Sequence, residues 1–160
     1  MSEPPVRNNS LLALKQIRML VAAAKRHSQR VERELGISGA QLWALQEISD
    51  SPGLRVRDLA ERLAIHQSTA SNLVDALERK GLARKERTSE DQRVVRLYLG
   101  EEGRRLLARA PAPTQGVLRD ALGALEGADL EQLTAVLSKA IGQLRQVDEE
   151  WALKPLPLTE

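Results

Sequence analysis

Five short hydrogen-bonding side chains crowd one stretch of the sequence: Gln67, Ser68, Thr69, Ser71 and Asn72. Their chemistry is recognition. The hydroxyls donate and accept, and the Gln and Asn amides hold a donor beside an acceptor. Further along, the polar tip Ser89-Glu90-Asp91-Gln92-Arg93 places a carboxylate two residues before a guanidinium. Asp91 can hold Arg93 in a paired hydrogen bond and fix the direction of the long side chain. Between these groups the charge is lopsided. Arg79 to Arg96 carries seven basic residues against three acidic ones, so this stretch is net +4 while the remainder is net −2. A basic patch on a near-neutral chain is a footprint for phosphate.

Other chemistries lack their residues. There is no Cys, so no disulfide, thiolate metal site or redox thiol. His27 and His66 are the only histidines and lie far apart, so no metal is expected. No glycine-rich phosphate loop, H-E-x-x-H or plausible Ser-His-Asp grouping occurs. The chain is not expected to be an enzyme or to carry a cofactor. No secretory h-region and no span-length apolar run is present, which predicts a soluble intracellular protein.

The elements that must position these residues follow from periodicity. With 42% hydrophobic residues but only Trp43, Tyr98 and Trp151 aromatic, Leu, Ala and Val must fill the core, as suits a mainly helical chain. Ser10 to Leu35 predicts a long helix. Its seam of Leu14, Ile17, Val21, Ala24, Ser28, Val31 and Leu35 is heptad-like and demands a partner. Ser38 to Ser49 predicts a helix opened by a Ser38–Gln41 capping box, and Asp50 to Gly53 a turn. Val56 to Leu63 and Gln67 to Lys80 predict two helices joined by the tight turn Ala64-Ile65-His66. Ala70, Leu73, Val74 and Leu77 form the buried stripe of the second. Leu82 to Thr88 and Val94 to Leu99 predict a two-stranded hairpin. Helix resumes at Glu101, Pro111 and Pro113 interrupt it, and Thr114 to Leu125 resumes it. Asp129 is the expected cap of a last helix striped by Leu133, Leu137, Ala140, Leu144 and Val147. The tail 151–160 is expected to be extended, and either poorly ordered or draped on a surface.

Two short helices about a tight turn, then a hairpin, make a winged helix-turn-helix. Short polar groups let the second helix enter a major groove, where Gln67, Ser68, Thr69, Ser71 and Asn72 can reach base edges. Arg93, oriented by Asp91, suits the minor groove. Arg55, Arg57, Arg84, Lys85 and Arg87 are the candidate phosphate contacts. A protein-interaction module on the same scaffold, without DNA readout, is the second reading.

The stretch "LAERLAIHQSTASNLVDALERKGLARKERTSEDQRVVRLYLGEEG" (Leu59 to Gly103) resembles the core of the MarR family of bacterial transcriptional regulators. The shared pattern includes Leu-Ala in the first helix and a Ser/Thr-rich start to the second. Asp91 and Arg93 match at the wing, Leu97 and Leu99 in the strand, and Glu102 and Gly103 at the next helix. The chain departs from the family with Gly100 in place of Thr, Ala64 in place of Gly and His66 in place of Ser. The resemblance implies one MarR-like domain over 1–160. Helices 10–35 and 114–148 would form the dimerisation base, and 54–100 a winged lobe on double-stranded DNA. It also implies a homodimer, a pseudo-palindromic operator and release by a small, often phenolic or aromatic acid effector. The effector's binding residues stay open: Trp43, His27 and Arg26 have simpler explanations as core or solvated groups.

Overall fold

The computed structural model describes residues 5–87 and 94–155. The chain order is α1 (Pro5–Leu35), α2 (Gly39–Asp50), β1 (Leu54–Arg55), α3 (Val56–Leu63), α4 (Gln67–Arg79), β2 (Ala83–Arg87), β3 (Val95–Leu99), α5 (Glu101–Ala108), α6 (Val117–Gly123), α7 (Gly127–Ile141) and a 3-10 turn, Glu149–Leu153. Among the described residues, no helix is long and apolar enough to cross a membrane.

Local signals explain most boundaries. Ser38 caps α2 by accepting the Gln41 amide at 3.1 Å, and the Gln41 side chain accepts the Ser38 amide at 3.0 Å, completing the capping box. Lys80 ends α4 and Gly81 follows at φ +69°, a conformation that costs glycine nothing. The core joins Val31 of α1 to Leu42, Leu45 and Ile48 of α2. It continues through Leu59 and Leu63 of α3, Ala70, Val74 and Leu77 of α4, and Leu97 of β3. The core-facing stripe predicted for α4 is buried except Leu73, which packs half-exposed against it.

The structure corrects several expectations. The hairpin is part of a three-stranded antiparallel sheet, because Leu54 and Arg55 pair with Leu97 and Arg96. Two residues are too few to show a period of two, so sequence could not announce β1. α1 begins earlier than Ser10, at Pro5. The proline break is complete: α5 stops at Ala108 and α6 starts at Val117. Glu126, not Asp129, occupies the cap position of α7, and Asp129 falls in its first turn, where a carboxylate favours the helix dipole. α7 ends at Ile141, so Leu144 and Val147 lie beyond it. The tail is not simply extended; it forms the 3-10 turn, capped where the Asp148 carboxylate accepts the Glu150 amide.

Gly100 and Gly103 answer to backbone proximity. The Gly100 amide donates to the Leu82 carbonyl at 2.9 Å. A Cβ at Gly100 would lie 2.6 Å from the Gly81 oxygen, and one at Gly103 would lie 2.1 Å from the Leu82 oxygen. A side-chain cap at position 100 is therefore excluded by contact. Ala64 shows the reverse misfit, a Cβ-bearing residue at φ +52°. Gly103→Ala should destabilise the protein by about 1–3 kcal/mol, because the clash with backbone outweighs alanine's better helix propensity. Ala64→Gly should stabilise it by about 0.5–1 kcal/mol. Urea unfolding of both variants checks these signs, and a stabilised Gly103→Ala would refute the close approach.

Candidate nucleic-acid interface

α3 and α4 are packed about the turn Ala64-Ile65-His66. Ala64 takes the left-handed conformation, and the Ile65 amide donates to the Ala60 carbonyl at 3.0 Å. Ile65 is buried and anchors the turn. His66 stands at the N-cap of α4 but makes no side-chain cap bond. With Ala70, Val74 and Leu77 turned inward, Gln67, Ser68 and Asn72 are exposed, and Thr69 and Ser71 half-buried beside them. The predicted recognition residues thus share one end of one helix and remain accessible.

The wing is tied to that helix by Lys85. Its ammonium pairs with the Asp75 carboxylate and, at 3.0 Å, with Glu78 Oε2; its amide donates to Glu78 Oε1 at 3.3 Å. The hydrogen bond from Lys85 holds the Asp75 carboxyl below its ordinary 3.8. The Lys85 ammonium is pushed above its ordinary 10.5 by the hydrogen bond to Asp75, against the effect of burial and with help from Glu78. Lys85, predicted as a phosphate contact, is thus half-buried and shared between two carboxylates.

The other candidate cations differ in setting. Arg84 Nε pairs with Glu86 at 2.8 Å while its guanidinium stacks over the Tyr98 ring, 5.5 Å from the centroid. Arg57 pairs with Glu61 at 3.2 Å, one helical turn on. Arg55 is exposed at the start of α3, and Arg87 at the end of β2. Asp91 and Arg93 lie outside the described residues.

Sequence reasoning missed two polar joints. Arg96 donates to the Gly53 carbonyl at 3.1 Å, fastening β3 to the turn after α2. Glu47 is buried and gathers three side chains: Trp43 Nε1 donates to it at 2.9 Å, Arg62 at 3.3 Å and Gln115 at 3.4 Å. Arg62 also donates to Ser51 Oγ at 2.8 Å, and Arg119 stacks over Trp43 at 5.3 Å. The i, i+4 spacing of Trp43 and Glu47 was a legible signal for part of this joint; the rest depends on distant segments.

A helix pair packed about a tight turn, the second helix with an exposed polar start, followed by an antiparallel wing, defines a winged helix-turn-helix protein. The MarR family model matches residues 35–94. The homoprotocatechuate degradative operon repressor of Escherichia coli is 30% identical over 111 residues, 68% of this chain and 75% of that protein. BldR from Sulfolobus solfataricus superposes with a TM-score of 0.56 at 25% identity, covering 89% of this chain and all of that one. Staphylococcus aureus MepR, solved as a DNA complex, superposes with a TM-score of 0.57 at 24% identity, over 81% of this chain and 96% of that one. The chain belongs to the MarR family of transcriptional regulators.

The Lys85 clamp has a pH signature. Asp75's lowered value contributes stability above the unfolded 3.8, lost as pH falls through the folded value. Lys85's raised value contributes below the unfolded 10.5, lost as pH rises past the folded one. Asp75→Asn should therefore lower Tm by a constant amount between about pH 5 and pH 9, with the gap closing only below 3.8. Thermal melts across pH test this; a gap already closed at about pH 5 would sink the clamp.

Proposed function

We propose that the protein is a homodimeric, sequence-specific DNA-binding repressor. Its operator is pseudo-palindromic, and a small-molecule effector of phenolic or aromatic acid type releases it. The observation that carries DNA readout is the accessible start of α4, where Gln67, Ser68, Thr69, Ser71 and Asn72 meet base edges. Arg93, directed by Asp91, enters the minor groove. Arg55, Arg57, Arg84 and Arg87 hold phosphates; Lys85 does so only by leaving Asp75 and Glu78.

The dimer is supported by unpartnered apolar surface. The C-terminal half of the α1 seam packs on the core, where Val31 is fully buried, but Leu14, Ile17 and Val21 are about half-exposed. Leu137 and Ile141 on α7 and Leu144 beyond it are exposed as well. A patch of this extent on a single chain marks an interaction face. Segments 10–35 and 114–148 form the base, and 54–100 the DNA lobe. Twofold symmetry spaces the two reading helices about one helical turn, ~10 bp. The effector proposal draws on the family, and one relative represses a homoprotocatechuate degradative operon, named for a phenolic acid.

Fluorescence anisotropy at two salt concentrations, with duplex from the upstream region of its own gene and a scrambled control, tests the reading. Asn72→Ala should cost about 1–3 kcal/mol and relax sequence preference. Arg93→Ala should weaken binding, and Arg55→Ala should flatten the salt slope by about one unit. No binding to either duplex by a folded dimer would favour the protein-interaction reading.

A further inference from the structure

The C-terminal 3-10 turn does not lie free. The Leu153 carbonyl accepts the backbone hydrogen of His66 at 3.3 Å. Leu153 also walls a hollow of about 440 Å³ over the turn between α3 and α4, together with Arg57, Ile65 and Gln67. Two of these, Arg57 and Gln67, belong to the proposed DNA face. The amide at the head of a recognition helix is a group a DNA phosphate oxygen uses, because helix N-termini favour anionic oxygen. Here a carbonyl oxygen of the same chain occupies it.

The segment is built to hold that position. Asp148 caps the turn. The Lys154 ammonium sits 3.9 Å from the centroid of the Trp151 ring, bracing the residues on both sides of Leu153. Asp148, Glu149 and Glu150 outweigh Lys154, so residues 148–154 are net −2, opposite in sign to the stretch from Arg79 to Arg96. Beneath the contact, His66 Nε2 is buried and has no hydrogen-bond partner among the described residues.

We propose that residues 149–155 form an autoinhibitory strap that competes with DNA for the head of the recognition helix. The strap docks through Leu153 and must lift before α4 enters the groove. The proposal rests on the DNA-binding reading. Apparent affinity falls by the fraction of molecules whose strap is open. A contact of one backbone hydrogen bond and one partly covered leucine implies about a three- to tenfold effect.

The test compares the full chain, a truncation ending at Val147 and the variant Leu153→Asp. Each is titrated by anisotropy against the upstream duplex and against a mixed-sequence duplex, with hydrogen exchange of the His66 amide followed in parallel. The strap predicts about three- to tenfold tighter binding by both altered forms and faster His66 exchange in each. Leu153→Asp keeps the whole chain, so a truncation that fails to fold does not decide the outcome. Equal affinities in all three forms would overturn the strap and leave the DNA reading standing. Weaker binding by Leu153→Asp would also overturn it, making the tail a DNA contact. No duplex binding by any form would remove both.

Discussion

The seating of β3 and α5 against the end of α4 depends on the Leu82 carbonyl. It accepts the Gly100 amide at 2.9 Å and lies so near Gly103 that no side chain fits between. Leu82 follows α4, Gly100 follows β3, and Gly103 opens α5. One backbone oxygen thus joins the end of the reading helix, the root of the wing and the start of the helix that leads away. The Lys85 clamp to Asp75 and Glu78 fastens the same wing further up α4. Together the two attachments leave β2 and β3 little freedom to swing against α4.

The Glu47 joint works at the opposite side of the lobe. A buried carboxylate is costly without partners, and Glu47 has Trp43, Arg62 and Gln115. Gln115 and Thr114, which donates to Gln46 at 3.1 Å, belong to the connection between α5 and α6. The connection between α5 and α6 is therefore held to α2 by these hydrogen bonds, beside the packing of Ala110 against the core. Removing one partner from a buried carboxylate is expensive, so the joint favours all its bonds or few of them. An effector of the kind proposed acts only through its difference in affinity for two states, and a joint whose bonds hold or fail together would supply such a difference.

Legibility in the sequence followed the range of the interactions. The Ser38–Gln41 cap, the α4 stripe and the Pro111–Pro113 break are local and were readable. β1 was not, since Leu54 and Arg55 are strand only by pairing with Leu97 and Arg96. Gly100 stood only as a departure from the family's Thr until the nearby Gly81 carbonyl supplied the reason for it. Among the site residues, exposure at Gln67, Ser68 and Asn72 followed from helical period alone. The engagement of Lys85 did not, because a basic residue in a strand carries no mark of the carboxylates a neighbouring helix will present. The Leu153 contact was equally invisible: it joins residues far apart in sequence through a backbone carbonyl.

The tail's position makes a weak contact effective. Only residues 142–148 separate the end of α7 from the 3-10 turn, so docking is an intramolecular event at high effective concentration. The strap and DNA respond differently to salt. In the proposed strap Leu153 docks through an apolar side chain and one neutral hydrogen bond, with a salt-sensitive share from the acidic residues 148–150, whereas the phosphate contacts proposed for Arg55 and Arg57 weaken more steeply as counterions are restored. Rising ionic strength would therefore weaken DNA binding more than the proposed competitor. An intramolecular competitor at the helix head, as proposed, would scale affinity for every duplex by the same open fraction, setting the concentration at which DNA is occupied and leaving the ratio of operator to non-operator affinity unchanged.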